Sequence, residues 1–141
     1  MNVRIKTLDG TPLPKYETQG ACAFDLSARE RTIIAPKAIG LVPTGVIIET
    51  PPGHVLLVVP RSSTPKKKGL LIPHGVGVID QDYCGDGDEV MLQVYNFTDH
   101  EVIVEKGERI GQGMFVKIEV AHWQHVEHMN KQTRGGFGST K

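Results

Sequence analysis

The chain has 141 residues, in which Lys and Arg together number 16 and Asp and Glu also 16, so the formal net charge is zero. That balance excludes recruitment of nucleic acid or a membrane by an overall field, and the length suits one domain, short enough that a deep enzyme cleft calls for a partner subunit. With 16 glycines, 9 prolines and few aromatic residues, the composition suits many short strands joined by tight turns and little helix.

In chain order, Val3 to Leu8 alternates as a strand should, and Asp9-Gly10 with Pro12 and Pro14 turns it. Phe24 to Ala28 is a second short strand that follows the small residues Gly20 to Ala23, with Asp25 between two apolar neighbours. Arg31 to Ala35 and Ile39 to Glu49 are further strands, the latter interrupted at Pro43-Thr44-Gly45. Val55 to Val59 are five consecutive aliphatic residues, which predicts a central strand covered on both faces that delivers Arg61 to its end. Ser62-Ser63-Thr64-Pro65, three lysines and Gly69 have the layout of a one-turn helix: hydroxyl cap, early proline, basic last turn and glycine stop. Its start is read either as simple capping or as a phosphate site, since Arg61 and two hydroxyls converge there.

The stretch from Gly75 to Asn96 is the chemical centre of the sequence. It reads as a hairpin, with the glycine-rich turn Cys84 to Asp88 between one strand ending near Asp80 and a return from Val90 to Phe97. Val76, Val78 and Asp80 share one parity of the first strand and Gly77, Ile79 and Gln81 the other, so Asp80 extends a face that begins apolar and is expected to be partly desolvated. Asp80 is either an acid beside Tyr83 in a hairpin cleft or a structural acid that accepts turn N–H groups. Beyond it, His100 to Glu105 is a strand and Arg109 to Val120 a long one carrying Gln112. His122, His125 and His128 fall on a predicted edge strand that points neighbours apart, which disfavours zinc, and Asp82, Asp86 and Asp88 lack EF-hand spacing. From Met129 the chain is polar and glycine-rich, which divides it into a folded domain, 1–128, and a mobile arm, 129–141.

Cys22 and Cys84 lie in no CxxC or CxxH pattern, which argues against a disulfide framework or a structural zinc. The absence of a long apolar run and of a signal-peptide layout leads to the expectation of a cytoplasmic, unprocessed chain without membrane or nucleic-acid partners.

Five separated segments, GACAFDL (Gly20 to Leu26), PRSST (Pro60 to Thr64), GVIDQDYCG (Gly77 to Gly85), GERIGQ (Gly107 to Gln112) and RGGFGST (Arg134 to Thr140), are similar in order and spacing to the five motifs of the trimeric deoxyuridine triphosphatases (dUTPases). The resemblance implies an all-β, distorted jelly-roll β-sandwich, a homotrimer with active sites shared between subunits, and an arm that closes over a neighbour. It implies hydrolysis of dUTP to dUMP and pyrophosphate by water attack on the α-phosphorus with Mg²⁺, which limits uracil in DNA and supplies dUMP for dTMP synthesis. Asp80 would activate the water, Tyr83 would pack beneath the deoxyribose, and His74, Gly77, Val78 and Ile79 would read the uracil edge, largely through backbone. Arg61, Ser62, Ser63 and Gln112 would hold phosphates and Asp25 would reach the metal through water. From the arm, Arg134, Gly138, Ser139 and Thr140 would contact the terminal phosphate region and Phe137 would stack on the base.

The sequence departs from the family pattern at His74, where many relatives place asparagine, at Gln132, where many place arginine, at Ala23, where glycine is usual, and in a longer turn at 85–89. A dCTP deaminase of the same fold is the alternative enzyme, but Gln93 stands where those use a proton-shuttling glutamate and Lys66 where they place arginine. An idle nucleotide-binding trimer would not need a water-activating acid.

Overall fold

The computed structural model describes residues 1–136 and 138. Its strands are β1 (Ile5–Thr7), β2 (Phe24–Ser27), β3 (Thr32–Ile34), β4 (Ile39–Pro43), β5 (Val46–Ile48), β6 (His54–Pro60), β7 (Leu70–Leu71), β8 (Gly77–Ile79), β9 (Met91–Asn96), β10 (Val102–Val104) and β11 (Arg109–Lys117), with one short helix, α1 (Thr64–Lys68). The chain is an all-β sandwich. A four-stranded sheet in the order β2-β11-β6-β8 and a three-stranded sheet in the order β4-β9-β7 are accompanied by the pairs β1-β5 and β3-β10, all antiparallel.

The core is made where alternate residues of these sheets meet, with Leu26, Ile34, Ile48, Leu56, Leu70 and Leu92 fully enclosed. Asn96 is one of five buried polar residues among those described, with Asp25, Thr44, Thr50 and Thr64. Its amide nitrogen donates to the carbonyls of Ile34, Ala35 and His100, and its oxygen accepts from the backbone N–H and hydroxyl of Thr98, so a buried side chain ties β9 to the turns around β3 and β10. On β6, Leu56 and Val58 are buried while Leu57 and Val59 on the opposite face are only half-covered, so the aliphatic run is central to its sheet but fully enclosed on one face alone.

Strand β11 enters the core as bare backbone at two points. A Cβ at Gly113 would lie 2.5 Å from ring carbons of Phe24, and one at Gly111 would lie 2.8 Å from both methyls of Leu92. No other residue fits either position without moving those neighbours.

Two sequence expectations are corrected here. Gly75 to Asn96 is not a hairpin: β8 pairs with β6 in the four-stranded sheet, whereas β9 pairs with β4 and β7 in the other. The segment 80–90 is long enough to cross between sheets, and it is anchored on the far side by Glu89, which accepts two hydrogen bonds from Arg29 and one from the Gly45 N–H. The long last strand stops at Lys117 rather than Val120, and His122, His125 and His128 lie in exposed chain without strand pairing. The reason is the partner: Lys117 faces His54, the first residue of β6, and only one further bond, from Ile118 N–H to the Gly53 carbonyl, prolongs the ladder.

Candidate active site

The first group of site residues gathers around Asp25. On β2 its neighbours Phe24 and Leu26 are buried, and register places Gln112 of β11 directly opposite. Gln112 also faces Val59 of β6, two residues before Arg61, so three distant motifs converge on one carboxylate. Asp25 Oδ1 forms an ion pair with Arg61 Nε at 3.0 Å and accepts a hydrogen bond from Gln112 Nε2 at 3.3 Å, and Oδ2 accepts from Arg109 Nη1 at 3.0 Å. The Asp25 side chain is only 4% exposed. A carboxylate so enclosed needs this much cationic and hydrogen-bonding compensation.

Sequence reasoning missed Arg109. In a regular strand it would lie on the face opposite Gln112, but a bulge between Arg109 and Gly111 shifts the register by one and returns it to Asp25's side. Arg109 also pairs with Glu17 at 2.9 Å, and its pKa is raised by that hydrogen bond and by the charges of Glu17 and Asp25. The available signal was its place within the GERIGQ segment.

Beside this cluster, Arg61, Ser63, Thr64, Lys67, Lys68 and Arg109 line a pocket with Glu108 and Ile110. The helix forms as predicted, stopped by Gly69 in the left-handed region at φ 69°. The expected hydroxyl cap does not form. Ser63 is in the right-handed helical region and makes no side-chain capping bond, while the buried Thr64 hydroxyl donates to the Ile110 carbonyl at 3.0 Å and ties the loop to β11. The Ser62 and Ser63 hydroxyls have no partner among the described residues.

The second group follows β8. This is an edge strand, so one rank of its main-chain groups is not used by the sheet. Val76, Val78 and Asp80 do share a face, but it is the outward one: Val78 is 61% exposed and Asp80 is exposed, while Ile79 packs against the core. The expected desolvation of Asp80 is therefore not met within one chain, because the parity was right and the side facing the core was not. The Asp80 carbonyl accepts from the Tyr83 N–H, which closes a turn between the two residues. The Tyr83 hydroxyl donates to the Glu89 carbonyl at 3.1 Å, and Gln81 donates to the His54 carbonyl at 2.9 Å. His74 turns its Nδ1 to the Val76 carbonyl at 3.0 Å and lies over Gly77.

No hydrogen bond or ion pair among the described residues joins the Asp25 group to the Asp80 group. Arg134, Gln132 and Gly138 are exposed, and Phe137, Ser139 and Thr140 lie outside the described residues. Among the described residues no cluster of three His, Cys, Asp or Glu side chains is arranged to hold a metal.

Comparison with known proteins identifies relatives of this chain. The dUTPase family model matches residues 9–141. The deoxyuridine 5'-triphosphate nucleotidohydrolase of Lactococcus lactis is 42% identical over 134 residues, covering 93% of this chain and 89% of that protein, and the same enzyme of Hydrogenobaculum is 39% identical over 145 residues, covering 99% and 98%. The crystal structure of dUTPase from Streptococcus mutans superposes with a TM-score of 0.78 at 40% identity, covering 84% of this chain and 98% of that one. The dUTPase of Staphylococcus bacteriophage 80alpha, solved with dUPNHPP, has a TM-score of 0.86 over 99% of this chain and 98% of its own, and at 23% identity it speaks for the fold. With a family model spanning nearly all of its length and relatives at this identity, the chain belongs to the dUTPase family.

Proposed function

We propose that the protein hydrolyses dUTP to dUMP and pyrophosphate, by attack of water on the α-phosphorus, in a site completed by neighbouring copies of the chain. The observation that carries this reading is the split of the motif residues into two groups. A phosphate-side group has Arg61 and Gln112 assembled around Asp25, with Ser62 and Ser63 following Arg61 in the chain. A nucleoside-side group, Asp80, Tyr83 and the edge of β8, is exposed on another part of the surface. Two half-sites on one chain make a whole site when chains associate, and a homotrimer supplies three.

Asp80 holds a carboxylate at an accessible corner, where it takes the proton of the attacking water. Tyr83, held by its bond to the Glu89 carbonyl, presents a ring under the deoxyribose and leaves no room for a 2′-hydroxyl. The unused main-chain groups of Gly77, Val78 and Ile79 offer donors and acceptors to the uracil edge, flanked by His74. The arm, with Arg134, Phe137, Gly138, Ser139 and Thr140, closes over the substrate and excludes bulk water.

The donor set fits Mg²⁺ at second hand. Both Asp25 oxygens are engaged by Arg61, Gln112 and Arg109, which leaves room for one more hydrogen bond, from a metal-bound water, rather than for direct ligation. Bound to the triphosphate, Mg²⁺ would neutralise charge on the departing pyrophosphate. Limiting uracil in DNA and supplying dUMP for dTMP synthesis follow from that reaction, and a cytoplasmic location suits it.

Incubation of pure protein with dUTP, dCTP, dTTP and UTP, with products resolved by chromatography, tests reaction and base choice together. Conversion of dUTP alone to dUMP is expected, and deamination of dCTP or no turnover at all overturns the proposal. Light scattering is expected to report three chains, and a fully active monomer contradicts the shared site.

A further inference from the structure

Three lysines in a row, Lys66, Lys67 and Lys68, have three different surroundings. Lys66 is exposed and lines none of the pocket beside Arg61. Lys68 is neutralised: it pairs with Glu108 at 2.8 Å and donates to the Ile103 carbonyl at 2.9 Å. Lys67 lines the pocket together with Arg61, Ser63, Thr64 and Arg109, and among the described residues its ammonium has no partner. Its backbone N–H is fixed by the Ser63 carbonyl at 2.9 Å, so the side chain is rooted one helical turn from the serines.

The charge balance of this pocket isolates the same residue. Arg61 and Arg109 are both engaged by Asp25, Arg109 also by Glu17, and Lys68 by Glu108. Only the Lys67 charge among the four cations lining the pocket is not offset by a carboxylate. A free ammonium on a residue that shares a pocket with Ser63, whose hydroxyl has no partner among the described residues, is suited to an oxyanion with several acceptor oxygens, because it donates up to three hydrogen bonds and its charge is not already spent.

We infer that Lys67 is a further substrate-binding residue, an anchor for the β- and γ-phosphates of the nucleoside triphosphate and for the pyrophosphate released from it. The inference rests on the assignment of dUTP hydrolysis made above. Being on the leaving-group side, Lys67 binds substrate and product alike and does not act on the water, so its removal raises KM far more than it lowers kcat. Its contribution is charge-based and its side chain, like that of Lys66, is exposed, and so it is weakened by salt.

The test compares Lys67→Gln, Lys67→Arg and Lys66→Gln with the wild type, all as the assembled full-length protein. For Lys67→Gln, KM for dUTP is expected to rise about tenfold, the scale of one lost charge-assisted hydrogen bond, with kcat little changed. Affinity for pyrophosphate measured by calorimetry should fall in parallel, while affinity for dUMP stays as in the wild type. Lys67→Arg should restore most of both, and Lys66→Gln should behave as the wild type. Wild-type KM and pyrophosphate affinity in Lys67→Gln overturn the inference while leaving dUTP hydrolysis intact. Equal losses for Lys66→Gln and Lys67→Gln also overturn it, since they would mean a diffuse basic field. If the wild type itself does not turn over dUTP, the underlying assignment fails instead, and that outcome is seen before any variant is read.

Discussion

Asp25 and Asp80, the two carboxylates of the candidate site, sit in opposite surroundings. Asp25 is enclosed, accepts hydrogen bonds from two side chains of β11, pairs with Arg61 just after β6, and belongs to the sandwich as much as to the proposed chemistry. Asp80 is exposed at a sheet corner, and its side chain makes no bond to the rest of the chain among the described residues. On the function proposed above, the difference means that the anion-binding half is built internally, whereas the half proposed to move a proton is left to be enclosed by substrate and neighbours. Removing the first acid should thus register in stability and removing the second in rate.

The sharpest test is Asp80→Asn. Turnover of dUTP should fall on the order of a thousandfold, since an amide cannot accept the water's proton, while the melting temperature stays at the wild-type value. Stopped-flow and calorimetry on one preparation read both quantities, and near-normal turnover would remove Asp80 from its role. Asp25→Ala should do the reverse at the level of folding. It leaves Arg61 and Arg109 close together without their counter-charge, and chemical denaturation should report a loss of about 3 kcal/mol; an unchanged midpoint would mean that the cluster is not structural.

Smaller effects sharpen the nucleoside half. Tyr83→Ala should make UTP a measurable substrate, whereas Tyr83→Phe, which loses only the bond to the Glu89 carbonyl, should keep sugar selectivity and cost about 1 kcal/mol of stability. An unchanged preference for dUTP over UTP in Tyr83→Ala would count against the steric role.

The smallest effect lies in the turn that follows Tyr83. The Asp86 pKa is lowered from its ordinary value of 3.8 by a hydrogen bond from Lys6 and by the Lys6 charge. A carboxylate depressed on folding adds stability that is complete above pH 3.8 and lost as pH falls through the lower folded value. Nuclear magnetic resonance titration of Asp86 should show that depression and its disappearance in Lys6→Ala; an identical midpoint in both proteins would contradict the pairing.

How far these features were legible in the sequence depended on whether the signal was local. β6 was found at His54–Pro60 because an aliphatic run bounded by Gly53 and Pro60 marks itself, and Gly69 announced its left-handed stop. Asp25, Arg61 and Gln112 were named from their segments, but that they grip one another depends on register across β2, β11 and β6, which period-two alternation does not encode. For the same reason the strand after Gly75 was placed with the wrong partner: alternation tells which residues share a face, not which sheet the strand joins or which face meets the core. Arg109 was hidden by a bulge, and β7, two residues long, was below any pattern.

The glycines at 111 and 113, on either side of Gln112, carry a consequence for how this lineage can vary. Every codon change that replaces a glycine adds at least one carbon, and at these two positions that carbon meets Phe24 or Leu92. A substitution at Gly113 therefore requires the Phe24 ring, and one at Gly111 the Leu92 methyls, to shift or to give way to a smaller residue. The strand that presents Gln112 is constrained by what it lacks, and its variation is coupled to the freedom of side chains across the core.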